Sequence, residues 1–269
     1  MKPLAFILFI ICGGFFQSAR AQRAYLGLDS NNYPGDSNLK ILRQTFSYAG
    51  YWLNTPPGAK SNQWVSKRQA LEDAGFGFLV LFNGRLDKEL RHGAAELAQA
   101  DARAAIAAAK QEGFPAHTII FLDIEEGGRM LPEQKTYIYG WVDAVTAAGF
   151  RAGVYCSGIP SREDRNTTIV TAEDIRANAH GREINFWVTN DSCPPSPGCS
   201  VAKTPTPGES GVAFADVWQF AQSPRRKDFA AACHNYNPDE RCYPPGIDPS
   251  SHLHVDIDTA NSADPSQGR

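Results

Sequence analysis

The sequence has no apolar run of membrane-spanning length, no basic stripe, and no internal repeat or low-complexity tract. Its longest apolar stretch, Leu4 to Ile11, is soon interrupted by Gly13-Gly14 and Gln17, whereas a transmembrane helix needs about 20 continuous apolar residues. A net charge of −3, from 26 Lys and Arg against 29 Asp and Glu, offers no cationic surface for a polyanion, so nucleic acid is not an expected partner. With no repeat, nothing calls for a solenoid or a second domain.

What is present at the start is an export signal. Met1-Lys2 precedes the apolar run, and Ser18-Ala19-Arg20-Ala21 supplies an Ala-x-Ala cleavage site, so residues 1–21 read as a signal peptide and Gln22 as the mature terminus. Localisation is then extracellular or periplasmic, with no stable membrane insertion after cleavage. Cleavage removes Lys2 and Arg20 but no acid, taking the formal charge from −3 to −5. Residues 22–269 match the size of one barrel domain, typically about 250 residues. Cys12 leaves with the signal. In an oxidising compartment Cys193 with Cys199 and Cys233 with Cys242 would each close a short loop, and Cys156, in a strand-like run, is the odd thiol; spacing does not fix this connectivity.

Short β-rich apolar runs alternate with helical patterns, which points to a parallel sheet of β-α units. The candidate strands are Tyr25–Asp29, Tyr48–Leu53, Gly77–Phe82, Thr118–Ile124, Ala152–Cys156, Ile184–Thr189, Ala215–Phe220 and Leu253–Asp258. Between them, Ser66 reads as the cap of a segment ending at Gly75, Ala94 to Glu112 as an Ala-rich helix stopped by Gly113, and Pro132 as the first turn of a helix ending at Gly149. Thr171-x-x-Asp174 reads as another cap. Residues 191–211 and 223–250 are rich in Pro, Gly, Ser and Cys and read as long loops. The fold class is therefore α/β: a TIM-like (β/α)8 barrel whose second-half helices are missing or replaced by long loops.

Strand alternation locates the chemistry. In Ile119 to Glu125 a period of two puts Ile120, Leu122 and Ile124 on one face and Phe121, Asp123 and Glu125 on the other. The same test turns Asp29 inward at the end of the first strand, and Asp256 inward in the last. Strands one and eight adjoin in a closed barrel and strand four lies across the lumen, so Asp29, Asp123, Glu125 and Asp256 converge where barrel active sites sit. Asp29 or Asp256 alone would equally suit a turn or helix cap. Glu126 alternates outward and reads as a loop acid. Trp218 suits either ordinary strand packing or stacking on a sugar face.

Several of these segments, in order along most of the mature chain, resemble glycoside hydrolase family 25 lysozymes and the related glycoside-hydrolase-like domain of unknown function 1906. Tyr25-Leu26-Gly27-Leu28-Asp29 resembles their opening strand, Phe121-Leu122-Asp123-Ile124-Glu125 their Asp-x-Glu strand, and Gly153-Val154-Tyr155 and Phe186-Trp187-Val188 their fifth and sixth. Trp218-Gln219-Phe220 and Val255-Asp256-Ile257-Asp258 are similar to the seventh and eighth, while Tyr48 to Asn54 looks more like the glycoside-hydrolase-like branch. The resemblance implies glycosidic-bond hydrolysis, with peptidoglycan the first candidate substrate and no cofactor or metal. It also implies catalytic roles for Glu125, Asp123, Asp29 and Asp256, and substrate binding by Tyr155, Trp187, Trp218 and Gln219.

A catalytically silent barrel that binds a glycan or a surface partner is the alternative, because a fold does not fix an activity. A third reading, a metal held by His252, His254, Asp256 and Asp123, follows from His-x-His beside acids. For the cysteines, peptide mapping without reduction is expected to give Cys193–Cys199 and Cys233–Cys242 links, with Cys156 alkylated only after unfolding; a crosslink through Cys156 would overturn the pairing.

Overall fold

The computed structural model describes residues 23–192, 204–227 and 237–269. The signal segment, the Cys193 and Cys199 pair, and Cys233 lie outside them.

The order along the chain is β1 (Tyr25–Asp29), α1 (Leu39–Leu42), β2 (Tyr48–Trp52), α2 (Arg68–Asp73), β3 (Gly77–Asn83), α3 (Asp87–Leu90), α4 (Ala94–Gln111), β4 (Ile119–Asp123), α5 (Pro132–Ala147) and β5 (Arg151–Ser157). A two-stranded ribbon, β6 (Ser161–Arg162) and β7 (Thr168–Ile169), precedes α6 (Thr171–Ala177), β8 (Asn185–Thr189), β9 (Val217–Ala221) and β10 (Asp256–Ala260). Eight strands close a barrel in the order β1-β10-β9-β8-β5-β4-β3-β2. All eight expected strands are there, within a few residues of their expected bounds.

One expectation needs correction. Neighbouring barrel strands from β1 to β9 run parallel, but β10 is antiparallel to both β1 and β9. A parallel strand needs a crossover to return to the starting end, whereas an antiparallel one can begin where the last ended. Residues 222–255 therefore connect the end of β9 to the start of β10 at the same end of the barrel, with no α-helix among the described residues.

The lumen is filled by alternating large and absent side chains. A Cβ on Gly27 would lie 2.0 Å from the Tyr48 ring, and one on Gly153 would lie 2.4 Å from the Phe121 ring. Glycine is needed at both places because the facing ring occupies the space of a side chain. Phe121, Trp187 and Tyr155 follow in edge-to-face contact, with centroids 6.2 and 4.5 Å apart. These rings floor the upper lumen.

Outside the barrel, α4 packs on α5, and a Cβ on Gly140 would lie 3.1 Å from that of Ala98, so small residues set the approach; Ala102, Ala105 and Ala109 on α4 are buried as well. Gly113 and Gly149, at φ 80° and 87°, follow the two helices as expected. Two other end signals have different uses. Ser66 has φ 63° and gives its N–H to Glu112, while α2 starts two residues later. Thr171 and Asp174 do not cap α6; they accept the N–H groups of Gly128 and Met130, fastening the loop after β4.

At the opposite end the final residues form part of the wall. Ser266 Oγ accepts Val80 N–H at 2.8 Å, Asp264 accepts Phe78 N–H, and the Ser266 carbonyl accepts Ile119 N–H, so residues 264–266 bridge β3 and β4. Ser266 is fully buried. Replacing it with alanine leaves a buried Val80 N–H without its acceptor, which costs about 1–3 kcal/mol. Urea unfolding of Ser266→Ala is expected to show that loss, while Ser262→Ala, at an exposed position, is expected to change stability by less than about 0.5 kcal/mol.

Candidate active site

Seven of the eight side chains singled out from the sequence meet at the barrel mouth. Asp29, Asp123, Glu125, Tyr155, Trp187, Gln219 and Asp256 line one cavity of about 220 Å³. Asp29 and Asp123 come from the last residues of β1 and β4, where inward alternation meets the end of the strand. Asp256 is the first residue of β10, and only the reversed direction of that strand brings it level with Asp29, its partner in the ladder. Trp218 is the exception: it faces away from Gln219, packs against Phe220 with centroids 5.6 Å apart, and gives its indole N–H to the Asn190 carbonyl. It is not at the cavity because its neighbour on the strand is.

Gln219 organises the acids. Its amide nitrogen donates to Asp29 Oδ2 at 2.9 Å and to Asp256 Oδ2 at 3.2 Å, and its oxygen accepts from the Tyr155 hydroxyl at 2.8 Å and from Gln222 at 3.1 Å. The Tyr155 hydroxyl thus bonds the end of the amide that faces away from the carboxylates. A register shift where β10 passes β9, between Ile257 and Asp258, accompanies this placement; such bulges re-aim side chains next to sites. The Ser223 N–H adds a bond to Asp256 Oδ1 at 2.6 Å. Of these contacts, those of Gln222 and Ser223 carry no sequence signal, since both residues lie past the strand.

Asp258, not singled out from the sequence, lies one layer below. It is wholly buried, faces Gly27 across the ladder, and accepts the Trp187 indole N–H at 3.0 Å. The signal was available: Asp256 and Asp258 share a strand face. Glu126, read as a loop acid, accepts from Asp87 N–H and Gln134 and holds the start of α3.

Electrostatics follow from crowding. Asp123 is 3 % exposed, and neither of its carboxyl oxygens has a hydrogen-bond partner. Burial, then the charges of Glu125 and Asp29, push its carboxyl well above the usual carboxylate range. Glu125 stands at the solvent-touching rim, yet desolvation by the cavity walls raises it; the Arg226 guanidinium opposes this and Asp29 adds to it. Asp256 and Asp258 are raised well above the ordinary value by burial and by Asp29. Asp29 is raised less, since bonds from Gln219 and Asp258 counter burial.

Two further cavities open on Glu125. One of about 520 Å³ extends over the ends of β2 and β3, past Asn54, Asn83, Arg85, Glu89 and Asp101; one of about 120 Å³ lies toward Ser157, Thr189 and Arg226. Both arginines are committed: Arg85 is held by Asp101 through two bonds of 2.7 and 2.8 Å, and Arg226 is bonded to Asp191. His252 and His254 do not line the central cavity, and among the described residues no group of three or more His, Cys, Asp or Glu is placed to hold a metal. Cys156 is free and buried, and burial pushes its thiol up, so it is not a nucleophile.

A carboxyl with a raised folded-state pKa binds more protons folded than unfolded, so its contribution to stability is full below the unfolded value and is lost as pH rises through the folded one. The acid cluster is therefore expected to make the protein less stable at pH 7 than at pH 4 to 5. Asp258→Asn, which retains an acceptor for Trp187, is expected to raise the melting temperature more at pH 7 than at pH 4; calorimetry at both values would refute the electrostatic account if the increments were equal or reversed.

Among curated protein sequences none matches the chain. Solved structures share its fold. An uncharacterised B. stearothermophilus protein aligns at 19 % identity over 88 % of this chain and 95 % of its own, with a TM-score of 0.57. The Mycobacterium tuberculosis Tat-secreted protein Rv2525c, solved with L-tartrate, aligns at 15 % identity over 88 % and 95 % of the two chains, with a TM-score of 0.52. The catalytic domain of endolysin ply40, from bacteriophage P40 of Listeria monocytogenes, aligns at 16 % identity over 93 % and 100 %, with a TM-score of 0.50. Residues 49–193, more than half of the sequence, match one family model, and the chain accordingly belongs to the Rv2525c-like, glycoside hydrolase-like domain family.

Proposed function

We propose that this chain hydrolyses glycosidic bonds of a cell-wall glycan, peptidoglycan being the first to test, and does so outside the cytoplasm after cleavage at Ala21. On this reading residues 22–269 act as one domain and need no cofactor, and the two short cysteine loops are disulfide-closed. The Tat-secreted relative and the endolysin domain are consistent with it. The observation that carries it is Asp123: a buried carboxyl with both oxygens unpartnered, sharing a cavity wall with Glu125.

Cleavage of a glycosidic bond needs one protonated carboxyl to donate to the leaving oxygen and an ionised group to stabilise the oxocarbenium-like centre. In the free protein, burial favours the proton on Asp123, which sits deeper than Glu125. A substrate acetamido N–H donating to Asp123 supplies the bond it lacks, which favours its ionised form and leaves the proton to Glu125 at the rim. Glu125 then protonates the leaving oxygen, and ionised Asp123 orients the acetamido group as its oxygen closes on the sugar carbon. Asp29 and Asp256, held by Gln219, bind sugar hydroxyls, and Tyr155 and Trp187 wall the cavity.

The silent-module reading draws less support. Its sugar-stacking aromatic would have to be accessible, whereas Trp187, Trp218 and Tyr155 are all at most 6 % exposed, and the exposed large apolar side chains among the described residues are Val65 and Leu131.

Glu125→Gln is expected to lower turnover by about 100- to 10,000-fold with folding unchanged, read as new reducing ends from purified cell walls and soluble glycans. Asp123→Asn is expected to be similarly severe. The wild-type rate is expected to fall as pH rises through the raised pKa of the proton-sharing pair, placing the alkaline limb above the ordinary glutamate range, and to fall at low pH when the pair takes a second proton. Near-normal turnover by Glu125→Gln would sink the assignment.

A further inference from the structure

The charges around the mouth do not balance. Among the described residues the central cavity has four carboxyls in its lining, Asp29, Asp123, Glu125 and Asp256, and no Lys, Arg or His. The larger lateral cavity shares Asp123 and Glu125 and adds Glu89 and Asp101 against a single cation among the described residues, Arg85. That cation is spent. Asp101, 7 % exposed and also bonded by the Tyr137 hydroxyl at 2.9 Å, grips Arg85 Nε and Nη2, and Glu89 lies 3.9 Å from its remaining nitrogen. In the small third cavity Arg226 is likewise bonded to a buried acid, Asp191.

Two kinds of ligand would suit an arginine beside acids, and the balance decides between them. A carboxylate or sulfate would meet a guanidinium already neutralised by Asp101 and would face Glu89, Asp123 and Glu125. An ammonium would relieve that crowding. Asp123 gives an independent sign that a donor belongs here, since it is buried on the wall common to both cavities with two oxygens unpartnered, and a single acetamido N–H satisfies at most one of them.

We propose that the lateral cavity binds a hexosamine whose amine is free, so that the preferred glycan is partly de-N-acetylated, an acetylated sugar occupying the central cavity and an ammonium-bearing one lying against Glu89 and the Asp123–Glu125 wall. The assignment rests on the glycosidase reading for its frame, and binding separates the two. The full wild-type chain is titrated calorimetrically at pH 6.5 with thio-linked, non-hydrolysable chitotetraose, fully N-acetylated or with one free amine. The free-amine form is expected to bind at least about fivefold more tightly, a preference that 1 M NaCl reduces by screening. Adding Glu89→Gln is expected to reduce the preference by about threefold while leaving affinity for the fully acetylated form within about twofold. Equal or weaker binding of the free-amine form, or no binding of either, overturns the assignment. Cleavage of acetylated glycan by the wild type without an amine preference overturns it alone and leaves the hydrolase standing. A Glu89-dependent amine preference in a chain that cleaves nothing sustains it and sinks the hydrolase.

Discussion

Five carboxyls, Asp29, Asp123, Glu125, Asp256 and Asp258, are packed into one end of a barrel lumen, and much of the neighbouring structure is explained by that constraint. Burying like charges together is unfavourable unless some hold protons or accept strong hydrogen bonds. The barrel uses both remedies. Gln219 spends both amide protons on Asp29 and Asp256, Ser223 gives a backbone N–H to Asp256, and Trp187 gives its indole N–H to Asp258. Asp123 receives no hydrogen bond, and burial, with the charges of Glu125 and Asp29, raises its pKa.

The rest of the barrel supports that end at a distance. Glycines at 27 and 153 let Tyr48 and Phe121 close the lumen beneath the acids, which keeps water from the floor and sharpens the desolvation. The arginine and tyrosine that hold Asp101 tie α4, α5 and the loop after β3 together beside the lateral cavity. At the far end residues 264–266 bridge β3 and β4, so stability is gained away from the site that costs it.

Much of this was legible in the residues. The period of two placed Asp29, Asp123 and Glu125 at the mouth because alternation depends only on backbone geometry, and Gly113 and Gly149 marked helix ends because few other residues adopt positive φ readily. Strand direction is not legible: the pattern Val255-Asp256-Ile257-Asp258 reads the same in either sense, so alternation turns Asp256 inward without saying at which end of its strand it stands, and Asp258 shares its face. Ser66 and Thr171 carry cap signatures, but Ser66 gives its backbone N–H to the distant Glu112 carboxylate and Thr171 accepts the Gly128 N–H, tertiary uses that no local pattern reveals. The motif points Trp218 at the cavity, whereas alternation gives that face to Gln219. The contacts of Gln222 and Ser223 depend on how a long loop returns to the mouth, and the cysteine pairings reach residues outside those described.

The proposed mechanism turns on Glu125, a rim carboxyl whose pKa is raised by desolvation against the cavity walls and by the charge of Asp29. The most direct measurement is its own titration, followed by carbon-13 carboxyl resonances with Glu125 assigned by substitution. The account predicts a midpoint above the ordinary glutamate value of about 4.3 that moves down in Asp29→Asn, because one of the charges raising it is gone. A midpoint at or below the ordinary value, unchanged by Asp29→Asn, would contradict it.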